Sequence, residues 1–126
     1  MSMRTPLKDV RHLGSAKEGV QHFWQQRLTA VANMILIPLF IVLVVSLVGA
    51  DHATVKRVIG KPLVALGFLM LIISGVVHMR LGMQVIIEDY VHGEGAKIVL
   101  IMLNTFFAFA IGLAATFAIL KLSFGA

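Results

Sequence analysis

The sequence predicts an all-α membrane protein with three transmembrane helices running up, down and up. Three observations carry the prediction. Of 126 residues, 59% are hydrophobic and only 13% charged, and the mean hydropathy is +0.94. No soluble domain of this size hides so much apolar surface, so the natural solvent is lipid. The stretches 28–50 and 98–120 contain no charge, and each exceeds the ~20 residues that cross a ~30 Å hydrocarbon layer as helix. A further apolar stretch, 62–87, is interrupted only by His78, Arg80 and Gln84.

The elements follow in order. Residues 1–14 are polar, basic and broken by Pro6 and Gly14, which predicts an irregular N-terminal segment on the cytoplasmic membrane face. Ser15-Ala16-Lys17-Glu18 fits a capping box, the serine accepting from an early amide while Glu18 reaches back. A helix is expected from here through His22, Phe23 and Trp24 to Arg27, with Trp24 in the interface belt. It becomes the first span at Leu28. Pro38 is expected to kink that span near Met34 to Pro38, with Asn33 bonding a freed or neighbouring group. Gly49-Ala50-Asp51 ends it. Residues 51–61 read as a short polar loop with Lys56, Arg57 and Lys61. Pro62 suits the first turn of the second span. Gly93-Glu94-Gly95 reads as a turn, and Lys121 stops the third span. The organisation expected is one three-helix transmembrane domain, 15–126, behind the N-terminal segment.

Composition excludes several chemistries. There is no cysteine, so no disulfide, iron–sulfur cluster or thiol nucleophile belongs to this chain, and any iron–sulfur chemistry comes from a partner. The net charge of +5 marks loops and head-group contacts, not nucleic-acid binding. No A-x-A site follows a short apolar segment near the N-terminus, and Asp9 and Glu18 interrupt the acid-free bias of a transit peptide, so neither leader is expected. No solenoid repeat or low-complexity tract is present. Arg4, Lys8, Arg11, Lys17, Arg27 and Lys97 fall on one side of the membrane, and Lys56, Arg57, Lys61 and Lys121 on the other. This imbalance favours a cytoplasmic N-terminus and places Arg27, Asp89 and Tyr90 at the same cytoplasmic surface.

The chemistry concentrates in His78 to Gly93, H-M-R-L-G-M-Q-V-I-I-E-D-Y-V-H-G. At about 100° per residue, Gly82 lies about 40° from His78, Val85 about −20° and Asp89 about 20°, with Ser74 and Gly75 within about 60°. One stripe thus carries small residues, an imidazole and a carboxylate, with Tyr90 beside its end. Small residues beside a buried histidine leave space for something flat and large.

Among five histidines, only His78 lies at membrane depth, about 16 Å along the helix from Asp89. Two readings stand. It bonds across a helix interface as packing, or it is a ligand, as ionisable residues inside membranes are functional by default. A neutral imidazole is a good haem-iron ligand. One histidine fills one axial position, and His12, His22, His52 and His92 sit near or outside the span ends. A bis-histidine b-type haem would therefore take its second histidine from another chain. Met34 or Met102 is the less favoured alternative. Arg27 either snorkels to the head groups or contacts a haem propionate. Arg80, about 200° round from His78, faces away from that stripe and reads as a partner contact or a snorkelling residue. Asp89 and Tyr90 are either an acidic helix end with a belt aromatic or part of a quinone site. There the tyrosine hydroxyl would bond a quinone carbonyl, and Asp89 would hold an arginine or relay protons.

The pattern H-x-x-x-G-x-x-x-x-x-x-D-Y, here His78, Gly82, Asp89 and Tyr90, resembles the small cytochrome b-type hydrophobic membrane anchor of succinate dehydrogenase. Gly14 to Gly19, with His22-Phe23-Trp24 and Gln26-Arg27, resembles the N-terminus of its alphaproteobacterial form. Asp89 to Gly93 also resembles the mitochondrial form. The likeness spans about residues 11 to 95, and the third span matches only in being apolar. Arg80 departs from relatives that carry an aromatic there, which bears on local packing.

The resemblance implies a bundle shared with a second, larger membrane anchor. His78 would be one axial ligand of haem b, the larger anchor supplying the other. Arg27 would approach a haem propionate. Tyr90 would hydrogen-bond ubiquinone, and Asp89 would sit near that site. A flavoprotein subunit with FAD and an iron–sulfur subunit would dock on this face. The location implied is the bacterial inner membrane, or alternatively the mitochondrial inner membrane. The rivals are a fumarate reductase anchor, another b-type quinone oxidoreductase, and a small transporter using His78 and Arg80 as a relay.

Overall fold

The computed structural model describes residues 6–7 and 17–125. Of the expected irregular segment only Pro6 and Leu7 are described, and they are helical; the rest of it and Ser15 of the capping box lie outside the described residues. Four helices follow: α1 (Lys17–Ser46), α2 (His52–Ile59), α3 (Pro62–Tyr90) and α4 (Glu94–Ser123). No strand occurs among the described residues. Helices α1, α3 and α4 are long and apolar enough to cross a membrane.

Polar residues extend α1 before its apolar window, α3 beyond it and α4 at both ends, while α1 stops at Ser46, short of the expected end at 49–51. Pro38 lies inside α1. After Ser46 the chain turns through Gly49 at φ +81°, a left-handed conformation that glycine adopts without a Cβ clash. Pro62 occupies the first turn of α3 after an extended Lys61. At the α3–α4 junction the structure differs from the expected turn. Gly93 is the N-cap of α4, accepting the Lys97 amide at 2.8 Å, and Glu94 and Gly95 are already helical.

The segment 51–61 is not the expected loop. It forms the two-turn helix α2, because the Asp51 carboxylate accepts the Thr54 amide at 3.2 Å and Lys56 and Arg57 sit in the last turn. There their charge complements the exposed carbonyls. Hydrogen bonds from the side chain, then the backbone, of Thr54 hold the Asp51 carboxyl below the ordinary carboxylate range. A lowered folded value means the cap stabilises α2 above the ordinary carboxylate pKa and is lost as pH falls through the folded one. Asp51→Ala is expected to speed amide exchange at Val55 to Ile59 at neutral pH while leaving the spans unchanged. Acidification of the wild type should lower the protection factors of the same amides, taken against the intrinsic exchange rate at each pH.

Gly60 fixes where α2 goes. A Cβ there would lie 2.8 Å from the Leu122 carbonyl oxygen and 2.9 Å from that of Lys56. Ser123 Oγ donates to the Gly60 carbonyl at 3.3 Å. The end of α2 is therefore latched beneath the end of α4 by backbone approach. Gly60→Ala forces one of two carbonyls to move, and overpacking of this kind costs roughly 1–3 kcal/mol. The expected result is preferential proteolysis within 52–61, with the three spans intact.

Helix α3 lies between α1 and α4, which make no contact with each other among the described residues. The buried positions are Ala65, Ser74, Leu81 and Ile87 on α3 and Asn104, Ala108 and Ile119 on α4. An edge-to-face pair, Phe40 with Phe68 at 5.5 Å, closes α1 on α3. Large apolar side chains elsewhere face outward, Met34, Phe109, Leu113 and Phe117 among them. Such a surface suits lipid and further apolar helices.

Candidate functional site

Helix α1 carries His22, Gln26, Thr29 and Asn33 at i, i+4, i+7 and i+11, a single helical stripe. Helix α3 answers with Ser74, His78 and Gly82, one turn apart. The two helices run antiparallel, so the stripes meet rung by rung. Ser74 Oγ reaches Asn33 Oδ1 at 2.8 Å and the Thr29 carbonyl oxygen at 3.1 Å. Thr29 Oγ1 lies 3.1 Å from His78 Nδ1. At Gly82 a Cβ would sit 3.6 Å from Gln26 Nε2. Lipid supplies no hydrophobic drive between helices, and small and polar residues take over that role. The expectation that Asn33 bonds a neighbouring group holds.

His78 is half-buried, and its ring makes one hydrogen bond among the described residues, through Nδ1. The expected open stripe is only partly open. Ser74 and Gly82 face α1, whose side chains occupy that space. Gly75 is different, since a Cβ there would meet nothing within 4 Å. The space beside Gly75, three residues before His78 on the same helix, is thus open. His22 Nε2 and Gln26 Oε1, on the same stripe of α1, are buried with no hydrogen-bond partner among the described residues.

The other expected residues sit apart from His78. Arg27 is exposed on the outer face of α1, its guanidinium 5.0 Å over the Phe23 ring, and Phe23 in turn meets Trp24 edge-on at 6.0 Å. Nothing within the chain brings Arg27 to His78. Asp89 and Tyr90 close α3, both exposed, Tyr90 by 77%. Arg80 does face away from the imidazole. It lines an apolar groove between α3 and α4 with Val76, Val77, Ala108, Phe109 and Gly112, and its carbonyl accepts from buried Asn104 at 3.0 Å. Among the described residues no group of three or more His, Cys, Asp or Glu could hold a metal ion.

Sequence reasoning missed Thr29 as the partner of His78, and Gln26 as the residue filling the space at Gly82. The available signal was the recurrence of polar residues on one face of α1 as it enters an uncharged span.

Fold and seam together define a multi-pass membrane subunit, largely unburied by its own helices, whose polar seam carries His78 on α3 and His22 on α1. The family follows from the sequence. The family model for the succinate dehydrogenase/fumarate reductase transmembrane subunit matches residues 1–112, and the chain belongs to that family. It is 35% identical over 122 residues to the succinate dehydrogenase hydrophobic membrane anchor subunit of Paracoccus denitrificans, covering 97% of this chain and 94% of that one. To the subunit of the same description from Rickettsia bellii it is 28% identical over 88 residues, 70% of each chain. To the succinate dehydrogenase membrane anchor subunit of Reclinomonas americana it is 38% identical over 97 residues, 73% of this chain and 79% of that one. No solved structure matches the chain.

Proposed function

We propose that this chain is the small membrane anchor of a succinate:ubiquinone oxidoreductase, respiratory complex II. In this reading it supplies one axial ligand of haem b and part of the ubiquinone-reduction site. The observation that carries the proposal is His78, a single imidazole at membrane depth in a chain of this family. Its Nδ1 lies 3.1 Å from Thr29 Oγ1, and the space at Gly75, three residues earlier on the same helix, is open. This donor set fits one half of a bis-histidine haem site, the second histidine coming from the larger anchor. Bound haem b supplies a one-electron store within the membrane.

The chain's own residues then have separable tasks. His78 Nε2 presents a lone pair. Arg27, exposed at the cytoplasmic end of α1, is the cation available to a haem propionate. Tyr90 donates its hydroxyl hydrogen to a ubiquinone carbonyl oxygen at the end of α3. Asp89 beside it orients a neighbouring cation or passes on protons taken from the aqueous side. The chain carries no centre for succinate oxidation. FAD and iron–sulfur clusters belong to the flavoprotein and iron–sulfur subunits, which dock on the Tyr90 face. The unburied apolar faces of α1 and α4 meet lipid and the larger anchor. The location that suits this role is the bacterial inner membrane, N-terminus in the cytoplasm.

The test is purification of the complex with identification of its subunits and an absorption spectrum. A red assembly containing flavin and a second anchor supports the reading. A colourless chain that purifies alone identifies the transporter rival. Fumarate reduction outpacing succinate oxidation identifies the fumarate reductase rival.

A further inference from the structure

The hydrogen bond at His78 carries more than contact, because the donor and acceptor can be assigned by counting protons. A threonine hydroxyl has one hydrogen and two lone pairs. Three groups lie within reach of Thr29 Oγ1: the Gln25 carbonyl oxygen at 2.7 Å, the Gln26 carbonyl oxygen at 3.1 Å and His78 Nδ1 at 3.1 Å. The two carbonyls can only accept. The shortest contact takes the proton, as is usual for a threonine bonding back to the preceding helical turn. The hydroxyl oxygen then has lone pairs and no hydrogen to offer the ring, so Nδ1 must be the donor. A neutral imidazole carries one N–H. With it on Nδ1, Nε2 holds the free lone pair.

We propose that Thr29 is a positioning residue for His78: its hydroxyl accepts the Nδ1–H, fixes the tautomer that leaves Nε2 a Lewis base, and holds the ring in that direction. This rests on the haem reading above and names a residue that acts on the iron only through His78. Metal-bound histidines generally donate their second ring N–H to an acceptor that sets tautomer and orientation. Here the acceptor is itself held. The Ser74 hydroxyl shares its proton between the Thr29 carbonyl and Asn33 Oδ1, tying the Thr29 backbone to the helix that carries His78. The chain Asn33–Ser74–Thr29–His78 thus links the register of α1 against α3 to the direction of one ring.

The bond also has an electronic consequence. An Nδ1–H given to an oxygen makes the imidazole a better electron donor, which favours ferric over ferrous iron. Thr29→Val keeps the volume and removes the acceptor. Thr29→Ser keeps the acceptor.

The experiment compares wild type, T29V, T29S and H78A as purified complexes. It reads the haem-to-flavin ratio, the potentiometric midpoint of the b-haem band and the ferric low-spin EPR spectrum. T29V is expected to retain haem but shift its midpoint upward, by up to the about 59 mV that a tenfold change in the ferric–ferrous ratio represents. Its EPR g-values should move as the ring loses its fixed direction, and T29S should match the wild type in both. If T29V fails to load haem and T29S restores it, the proposal also stands. A T29V midpoint and EPR spectrum equal to wild type overturn it, as does T29S behaving like T29V, which would indicate packing alone. If H78A keeps a wild-type haem spectrum, or wild type contains no b-haem, the underlying reading fails and takes this proposal with it. If H78A loses the haem while T29V is silent, only this proposal falls.

Discussion

His78→Ala is expected to abolish the b-type haem spectrum of the purified complex while its subunits still assemble. The argument is one of counting and of energy. His78 lies midway along the apolar span Pro62–Tyr90, and among the described residues no group of three or more His, Cys, Asp or Glu could hold a metal ion. On the proposed reading this imidazole would be the ligand that the chain contributes to the haem, and its removal would leave that position unfilled. The structural cost is smaller. The ring makes one described hydrogen bond, worth about 0.5–1.5 kcal/mol net. The α1–α3 seam keeps its Ser74 bonds to Thr29 and Asn33. The variant should therefore separate haem binding from folding. Subunit composition and dye-linked succinate oxidation should match wild type, with the haem absorption gone. An unaltered spectrum removes His78 from the ligand set. Loss of the whole assembly, flavin included, assigns His78 the packing role instead.

The spans were readable because a charge-free run of this length has one stable form in lipid, and α1, α3 and α4 contain those runs. The starts of α1 and α3 were readable too, from the Ser15 capping box and Pro62. But α1 stops at Ser46 within its apolar run, while α3 and α4 continue past theirs because the backbone ladder outlasts the drop in hydropathy. Helix α2 was obscured by its own charges. Lys56, Arg57 and Lys61 give 51–61 a polar composition, and the cap formed by Asp51 on Thr54 is a local bond that composition does not weigh. That Arg80 faces away from His78 followed from a 100° turn per residue, which needs no neighbour. What filled the stripe did need one. A single helix cannot say which face of another will meet it, so the small residues at Ser74 and Gly82 read as open space. They are instead where Thr29, Asn33 and Gln26 pack. Only the antiparallel register of α1 against α3, pinned at Asn33–Ser74, reveals Thr29 opposite the imidazole.

Tyr90→Phe should slow ubiquinone reduction by about tenfold or more and leave dye-linked succinate oxidation unchanged. Tyr90 stands 77% exposed on the last turn of α3, where the ring has little packing to lose. Surface substitutions of this kind usually change stability by no more than about 0.5 kcal/mol. The phenyl ring is retained, so the variant differs from the wild type by one donor. A hydrogen bond to an oxygen that gains negative charge on reduction is worth about 1.5–3 kcal/mol, and each ~1.4 kcal/mol of lost transition-state stabilisation is a factor of ten in rate. The loss should fall on kcat with quinone as acceptor, because the charge that the hydroxyl stabilises develops during reduction and is small in bound quinone. An artificial dye takes electrons from the partner subunits and never meets this hydroxyl, so its rate is the internal control. Parallel loss in both assays means that Tyr90 supports the docking of the soluble subunits, and the quinone site must then be sought elsewhere on the Asp89 end of α3.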